Sequence, residues 1–208
     1  VVEAASARGW ILPVVTTSSA RARALCVLGE HEESDAAMAT AFGLLDRIPA
    51  TSNGVFQTLA SEMLRNGIRG VETSSEELGP LLPFVELPDT SWAGLSVRAG
   101  YARALAIEGR FDEALASVEP VVEVVDLAAG WAQNYPIILA HAIGALWLAE
   151  RTDGLDVLER NLRTKVVEPD VRYLECDGRW SLAQVCGLTG RHDEAREWFE
   201  RARAVMAE

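Results

Sequence analysis

Lysine is almost missing from this chain. Of 19 basic residues in 208, only Lys165 is a lysine, and 31 acidic residues leave a formal charge of −12. A phosphate-holding P-loop needs a lysine directly after a glycine-rich turn, so that backbone amides and an ammonium group surround the phosphates. Lys165 stands between Thr164 and Val166 with no glycine nearby, which excludes such a site here. The shortage of positive charge also argues against a nucleic-acid-binding face, which must neutralise phosphates. Cysteine is scarce. Cys26, Cys176 and Cys186 are odd in number, far apart and without a Cys-x-x-Cys pair, so they read as reduced, buried thiols of a cytoplasmic protein. No long hydrophobic run occurs. The longest, Pro136 to Ala149, is interrupted by His141 and falls short of the roughly 20 residues that span a bilayer. A basic n-region followed by an apolar stretch is lacking as well, so no secretory signal is read. The first residue is Val1 rather than Met, which points to a segment of a longer chain.

Catalytic and metal signatures are missing too. There is no His-Glu-x-x-His, Gly-x-Ser-x-Gly or Gly-x-Gly-x-x-Gly, and the acidic stretch Glu30 to Asp35 lacks the spacing of a calcium loop. The acid pairs Glu32-Glu33, Glu76-Glu77, Asp112-Glu113 and Asp193-Glu194 read as solvated helix starts, because adjacent helical residues do not face one another. No cofactor, metal or catalytic group is expected, and the chain is not read as an enzyme.

What is present is helical periodicity. In Tyr101, Ala102, Leu105 and Ala106, and again in Leu182, Ala183, Val185 and Cys186, apolar residues recur three and four apart. Similar turns separate such stretches: Gly109-Arg110-Phe111-Asp112-Glu113-Ala114 and Gly190-Arg191-His192-Asp193-Glu194-Ala195, with looser copies at Gly29 and Glu150. The turns start at 29, 109, 150 and 190, so one more is due near 69, where Asn66-Gly67-Ile68-Arg69-Gly70 lies. A fixed period of about 40 residues predicts an all-α solenoid of about five helical hairpins, forming one domain over 1–208. Glycine accepts the left-handed conformation that ends a first helix. Asp112 and Asp193 are expected to cap the second helices, with Glu113 and Glu194 at the positive end of the dipole. Ala114 and Ala195 let paired helices approach. Pro136 and Pro169 suit helix starts, Pro80, Pro83 and Pro88 mark an irregular connection, and Pro120 predicts a kink or late start. His31 and His192 occupy the turn position of Phe111 and are expected to pack at repeat joints. His141 is expected to be a hydrogen-bonded core or groove histidine.

The last unit, with Leu182, Ala183, Gly190, Ala195, Phe199 and Ala202, resembles the tetratricopeptide repeat, as does the third unit at Ala102, Leu105, Gly109, Phe111 and Ala114. The long period is similar to the superhelical region of MalT-like, LuxR-type bacterial regulators and of actinobacterial ATPase and nucleotide-cyclase signalling proteins. The resemblance implies a right-handed superhelix that senses an inducer or partner and restrains an ATPase module elsewhere in the chain. It also implies that three positions of each first helix line a groove: Thr16, Ser19 and Arg23; Phe56, Leu59 and Met63; Ser96, Ala99 and Arg103; Ile137, Ala140 and Gly144; Asp177, Trp180 and Gln184, with Tyr173 one turn earlier. Such a floor suits a peptide, a partner helix or a modest organic ligand. The alternative is that Phe56, Tyr173 and Trp180 simply fill the core. Three functions are thus open: a regulatory binding module, an oligomerisation scaffold without a ligand, and an all-α enzyme.

Overall fold

The structure, a computed structural model, describes residues 10–49, 52–86, 92–127, 135–167 and 172–206. Those residues form helices and turns, with no strand among them. In chain order the α-helices are α1 (Ile11–Val27), α2 (His31–Phe42), α3 (Asn53–Ile68), α4 (Trp92–Ile107), α5 (Phe111–Val124), α6 (Tyr135–Leu148), α7 (Leu155–Leu162), α8 (Arg172–Leu188) and α9 (His192–Met206). The chain divides into two compact units, Val1–Phe84 and Val85–Glu208.

The turns explain the helix pairing. After α1, the Gly29 N–H reaches Cys26 O (3.1 Å) and the Glu30 N–H reaches Leu25 O (2.9 Å), while Gly29 has φ +79°. This is the left-handed helix stop in which two orphan carbonyls are satisfied at once. The same pair of bonds follows α4 at Gly109–Arg110 and α8 at Gly190–Arg191. After α3, Gly70 has φ +70° and the Val71 N–H reaches Asn66 O (2.8 Å). After α6 the stop is made by Glu150, a non-glycine residue at φ 53°. All five expected turns therefore exist.

Four of them lead into α-helices, giving the pairs α1–α2, α4–α5, α6–α7 and α8–α9. The second does not. After Gly70 the chain forms a turn and then a 3-10 helix, Gly79–Glu86, that contains Pro80 and Pro83. Proline has no N–H to continue an α-helical ladder, so α3 has no α-helical mate.

Several local expectations change. Asp112 and Asp193 do not cap; they lie inside the first turn of α5 and α9, together with Glu113 and Glu194. Arg110 precedes α5 without a capping side chain and forks onto Glu113 at 2.8 and 2.6 Å. Helix α5 runs through Pro120. Pro136 is the second residue of α6, whereas Pro88 and Pro169 lie outside the described residues. His31 and His192 are exposed rather than packed at joints. Cys26 and Cys186 are buried free thiols; the side chain of Cys176 is outside the described set.

In the first unit α1 packs on both α2 and α3. The largest fully buried side chain among its described residues is polar: Arg65 is 2% exposed. The guanidinium pairs with Asp35 and Glu62. Its Nε donates to Ser34 Oγ (2.8 Å), and that hydroxyl donates to Ala22 O (2.6 Å). Arg69 adds a second bond to Asp35 (2.8 Å). A buried cation is tolerated when its donors are matched in this way.

In the second unit α4 packs on α6 and α6 on α8, so three first helices follow one another. Leu105, Val118, Ile143, Leu146, Leu158 and Leu182 belong to one continuous core. The far end is fastened by charge. Glu159 on α7 accepts from Arg191 (2.6 Å) and Arg163 (2.7 Å), and Arg163 also reaches Glu194 on α9 (2.5 Å).

Candidate functional site

The expected groove residues fall into two groups. In the second unit Arg103, near the end of α4, is half-buried and extends across α6. A Cβ placed on Gly144 would meet its Cδ at 3.7 Å and its Nη1 at 3.8 Å. The small residue at 144 is what gives the guanidinium a bed to lie on. Arg103 has no hydrogen-bond or ion-pair partner among the described residues. Ser96, Ile137, Ala140 and Gln184 are half-buried, and Ala99 is fully buried. Trp180 is 47% exposed, with its ring tilted on Phe199 of α9 at 5.3 Å between centroids. Tyr173 and Asp177 belong to α8, but their side chains lie outside the described residues.

One feature of this face corrects an expectation, and another was not expected at all. His141 sits one helical turn before Gly144. Contrary to the expected hydrogen-bonded histidine, its Nδ1 is buried without a hydrogen-bond partner among the described residues. Burial, with the positive charge of Arg103 added, pushes its pKa down to about 4, so the imidazole is neutral at pH 7. Next, Trp147 lies over Gly187 so closely that a Cβ there would fall 2.9 Å from the indole ring. The Cys186 thiol beside it is pushed up to about 11 by burial and is not a nucleophile at neutral pH.

In the first unit the residues scatter. Thr16 donates to the carbonyl of Leu12, Ser19 bonds Thr58 across the α1–α3 contact (2.8 Å), and Arg23 is half-buried. Phe56 is 6% exposed and packs on Phe84 at 5.7 Å between centroids. Met63 and Leu59 instead help to line a pocket of about 270 Å³. The segment after Gly70 supplies the opposite wall through Leu78 and Pro80, with Phe42 from the end of α2. Glu62, Asn66, Thr73 and Glu77 give it a polar edge. The wall is held by a local turn. The Ser74 N–H donates to Glu77 Oε2 (2.8 Å), and the Glu77 N–H donates to Ser74 Oγ (3.2 Å), a reciprocal cap. The Ser-x-x-Glu spacing was the signal that would have found it.

No group of three or more His, Cys, Asp or Glu suited to a metal occurs among the described residues. None of the described helices is long and apolar enough to cross a membrane. The tetratricopeptide repeat model matches residues 95–120 and 178–201, that is, α4 with the start of α5 and α8 with the start of α9. No curated protein and no solved structure matches the chain. The matched segments and the all-helical architecture identify a tetratricopeptide-like helical domain, a type that generally mediates protein–protein interaction.

Proposed function

We propose that the chain is a partner-binding repeat domain whose first helices α4, α6 and α8 present a recognition face for a peptide or partner helix. The observation that carries this reading is Arg103. A guanidinium offers five donors, and here it is partly withdrawn from water over Gly144 with no acceptor among the described residues. Such a group is best satisfied from outside, by a peptide carbonyl or carboxylate. Ser96, Ile137, Ala140 and Gln184 supply the small and apolar surroundings, with Trp180, Tyr173 and Asp177 further along α8. Arg23, Phe56 and Met63 belong to the corresponding stripe of the first unit. Arranged as a right-handed superhelix of five repeats, the domain would serve as the regulatory or sensor arm of a cytoplasmic bacterial signalling or transcription-regulator protein, without catalysis of its own. A small-molecule inducer is the other ligand class the face suits.

The test is selection of twelve-residue peptides from a random phage library on the folded chain, followed by calorimetric titration. Arg103→Ala should weaken the selected peptides by about ten-fold, while Arg196→Ala, on the solvent side of α9, should not.

A second reading, an oligomerisation scaffold, is favoured by apolar residues left exposed beside the turns: Val27 at 69%, Leu28 at 72% and Phe111 at 43%. A stable oligomer by light scattering, with no peptide enriched, would replace the first reading with this one.

A further inference from the structure

We infer that the first unit carries a separate recognition pocket that takes one basic side chain, arginine or lysine, of a partner protein. The pocket exists because α3 lacks an α-helical mate. The chain from Val71 to Glu86 covers that side of α3 with a turn and a proline-bearing 3-10 helix, which leaves about 270 Å³ open. That is below the size of most small-molecule sites, roughly 300–1,000 Å³, and suits a single long side chain. Its interior is apolar: Leu59, Met63 and Leu78 accept an aliphatic stem.

Its edge is anionic. Glu62 commits one oxygen to Arg65, and Glu77 commits Oε2 to the Ser74 N–H and hydroxyl (2.8 and 3.0 Å). The other oxygen of each carboxylate has no partner among the described residues. Arg65 and Arg69 do not cancel this charge, because Asp35 and Glu62 already match them. Glu77 therefore keeps a negative charge that no described cation neutralises, and no Arg, Lys or His lines the pocket. An apolar stem ending in a cation satisfies both halves of this lining. A purely apolar occupant would desolvate Glu77 without compensation. The inference does not depend on the Arg103 face.

The chain reports on the pocket through its three methionines, Met38, Met63 and Met206. Met63 lines the pocket and Met38 is 2% exposed in the core of the same unit, so the Met38 methyl signal is the control for folding. The full chain, labelled at the methionine methyl carbons, is titrated with acetyl-Ala-Arg-Ala-amide, with its norleucine counterpart, and with n-butylguanidinium. The Met63 signal should move and saturate in the millimolar range (on the order of 1–10 mM) with the arginine peptide, while Met38 stays still. Norleucine should bind roughly ten-fold more weakly, and Glu77→Gln should weaken the arginine peptide roughly five-fold. Arg103→Ala should leave the titration unchanged, which separates this site from the proposed face. Equal binding of norleucine, or a Met63 signal that no probe moves, overturns the inference. Binding of n-butylguanidinium without the peptide also overturns it, in favour of a free-cation site. Should Glu77→Gln lose the Met38 signal through unfolding, 0.5 M NaCl on the native chain replaces it. Screening should weaken the arginine peptide several-fold, and salt-independent binding counts against the charge argument.

Discussion

At the scale of single residues, the five helix stops share one backbone solution and differ in who performs it. Gly29, Gly70, Gly109 and Gly190 hold φ between +70° and +79° without a Cβ, whereas Glu150 holds φ 53° with one. A left-handed conformation costs a non-glycine residue about 1–2 kcal/mol. Glu150→Gly should therefore stabilise the chain by about 1 kcal/mol, raising the melting temperature by about 2–4 °C. Gly109→Ala should lower it by a similar amount. Thermal melts of the two variants check both signs. His141 gives a pH prediction. Its folded pKa, about 4, lies below the ordinary value near 6.5, so the unfolded chain takes up the proton first. The stability held by the neutral imidazole is complete above pH 6.5 and is lost as pH falls towards 4, by up to about 3 kcal/mol. His141→Leu should flatten the stability difference between pH 7 and pH 5, as measured by urea denaturation. It also removes the unpartnered Nδ1, whose burial costs about 1–3 kcal/mol, so the variant should be no less stable at pH 7. A variant that melts earlier at pH 7 and keeps the wild-type slope would mean that the imidazole finds a partner.

At the scale of elements, α3 shows how charge substitutes for a missing helix. Its buried Arg65 ties α3 to Asp35 and Ser34 of α2, and through Ser34 to Ala22 of α1. Arg65→Ala leaves Asp35 to Arg69 alone and Glu62 without its cation, and it empties a buried site; because both carboxylates keep contact with water, it should cost about 2 kcal/mol. Arg65→Met keeps an aliphatic stem in the site and should cost less. Hydrogen exchange should show lost protection in α1–α3 and little change in α4–α9; an equal loss across both units would contradict the local character of this cluster. The same contrast marks what the sequence discloses. Turns are legible because glycine at the stop and acids in the next turn are local needs; the second was found by spacing, and the fourth was legible as a looser copy, although Glu150 replaces glycine there. The irregular stretch after Gly79 was legible from Pro80 and Pro83. The pocket was not. Register arithmetic named Met63, but Glu77, Leu78 and Pro80 come from a segment without helical period, and only folding brings them opposite α3. The unpartnered Nδ1 of His141 was illegible for a related reason, since no pattern tells whether a buried nitrogen finds a donor.

At the scale of the molecule, the two units are built on different balances. The core of Val85–Glu208 includes a continuous cluster of buried residues from Leu95 to Val185, with Leu105, Ile143, Leu158 and Leu182 each at most 2% exposed. Its six α-helices, α4 to α9, pair through left-handed stops, and α7 is fastened to α9 by Glu159, Arg163, Arg191 and Glu194. The hydrogen bonds from Arg191 and Arg163 hold the Glu159 carboxylate below its ordinary range despite burial. That contribution persists above the usual carboxylate pKa and fades as pH falls below it. The first unit buries Val15, Phe56, Leu59, Leu81 and Phe84 together with a cluster of Ala22, Ala37, Met38 and Ala41, and adds to them the partly exposed ion pairs around the buried Arg65. Apolar burial carries about 25 cal/mol per Å² and does not respond to salt in this sense, whereas partly exposed ion pairs are screened. Residues 85–208 expressed alone should therefore keep a helical circular-dichroism spectrum and melt cooperatively, with a midpoint that 0.5 M NaCl shifts little. Residues 1–84 alone should melt earlier and lose more stability as pH falls through 5 to 3, because Asp35, held below its ordinary pKa chiefly by its hydrogen bond to Arg69, then takes up a proton. A non-cooperative melt of the 85–208 fragment would contradict a core that is sufficient by itself.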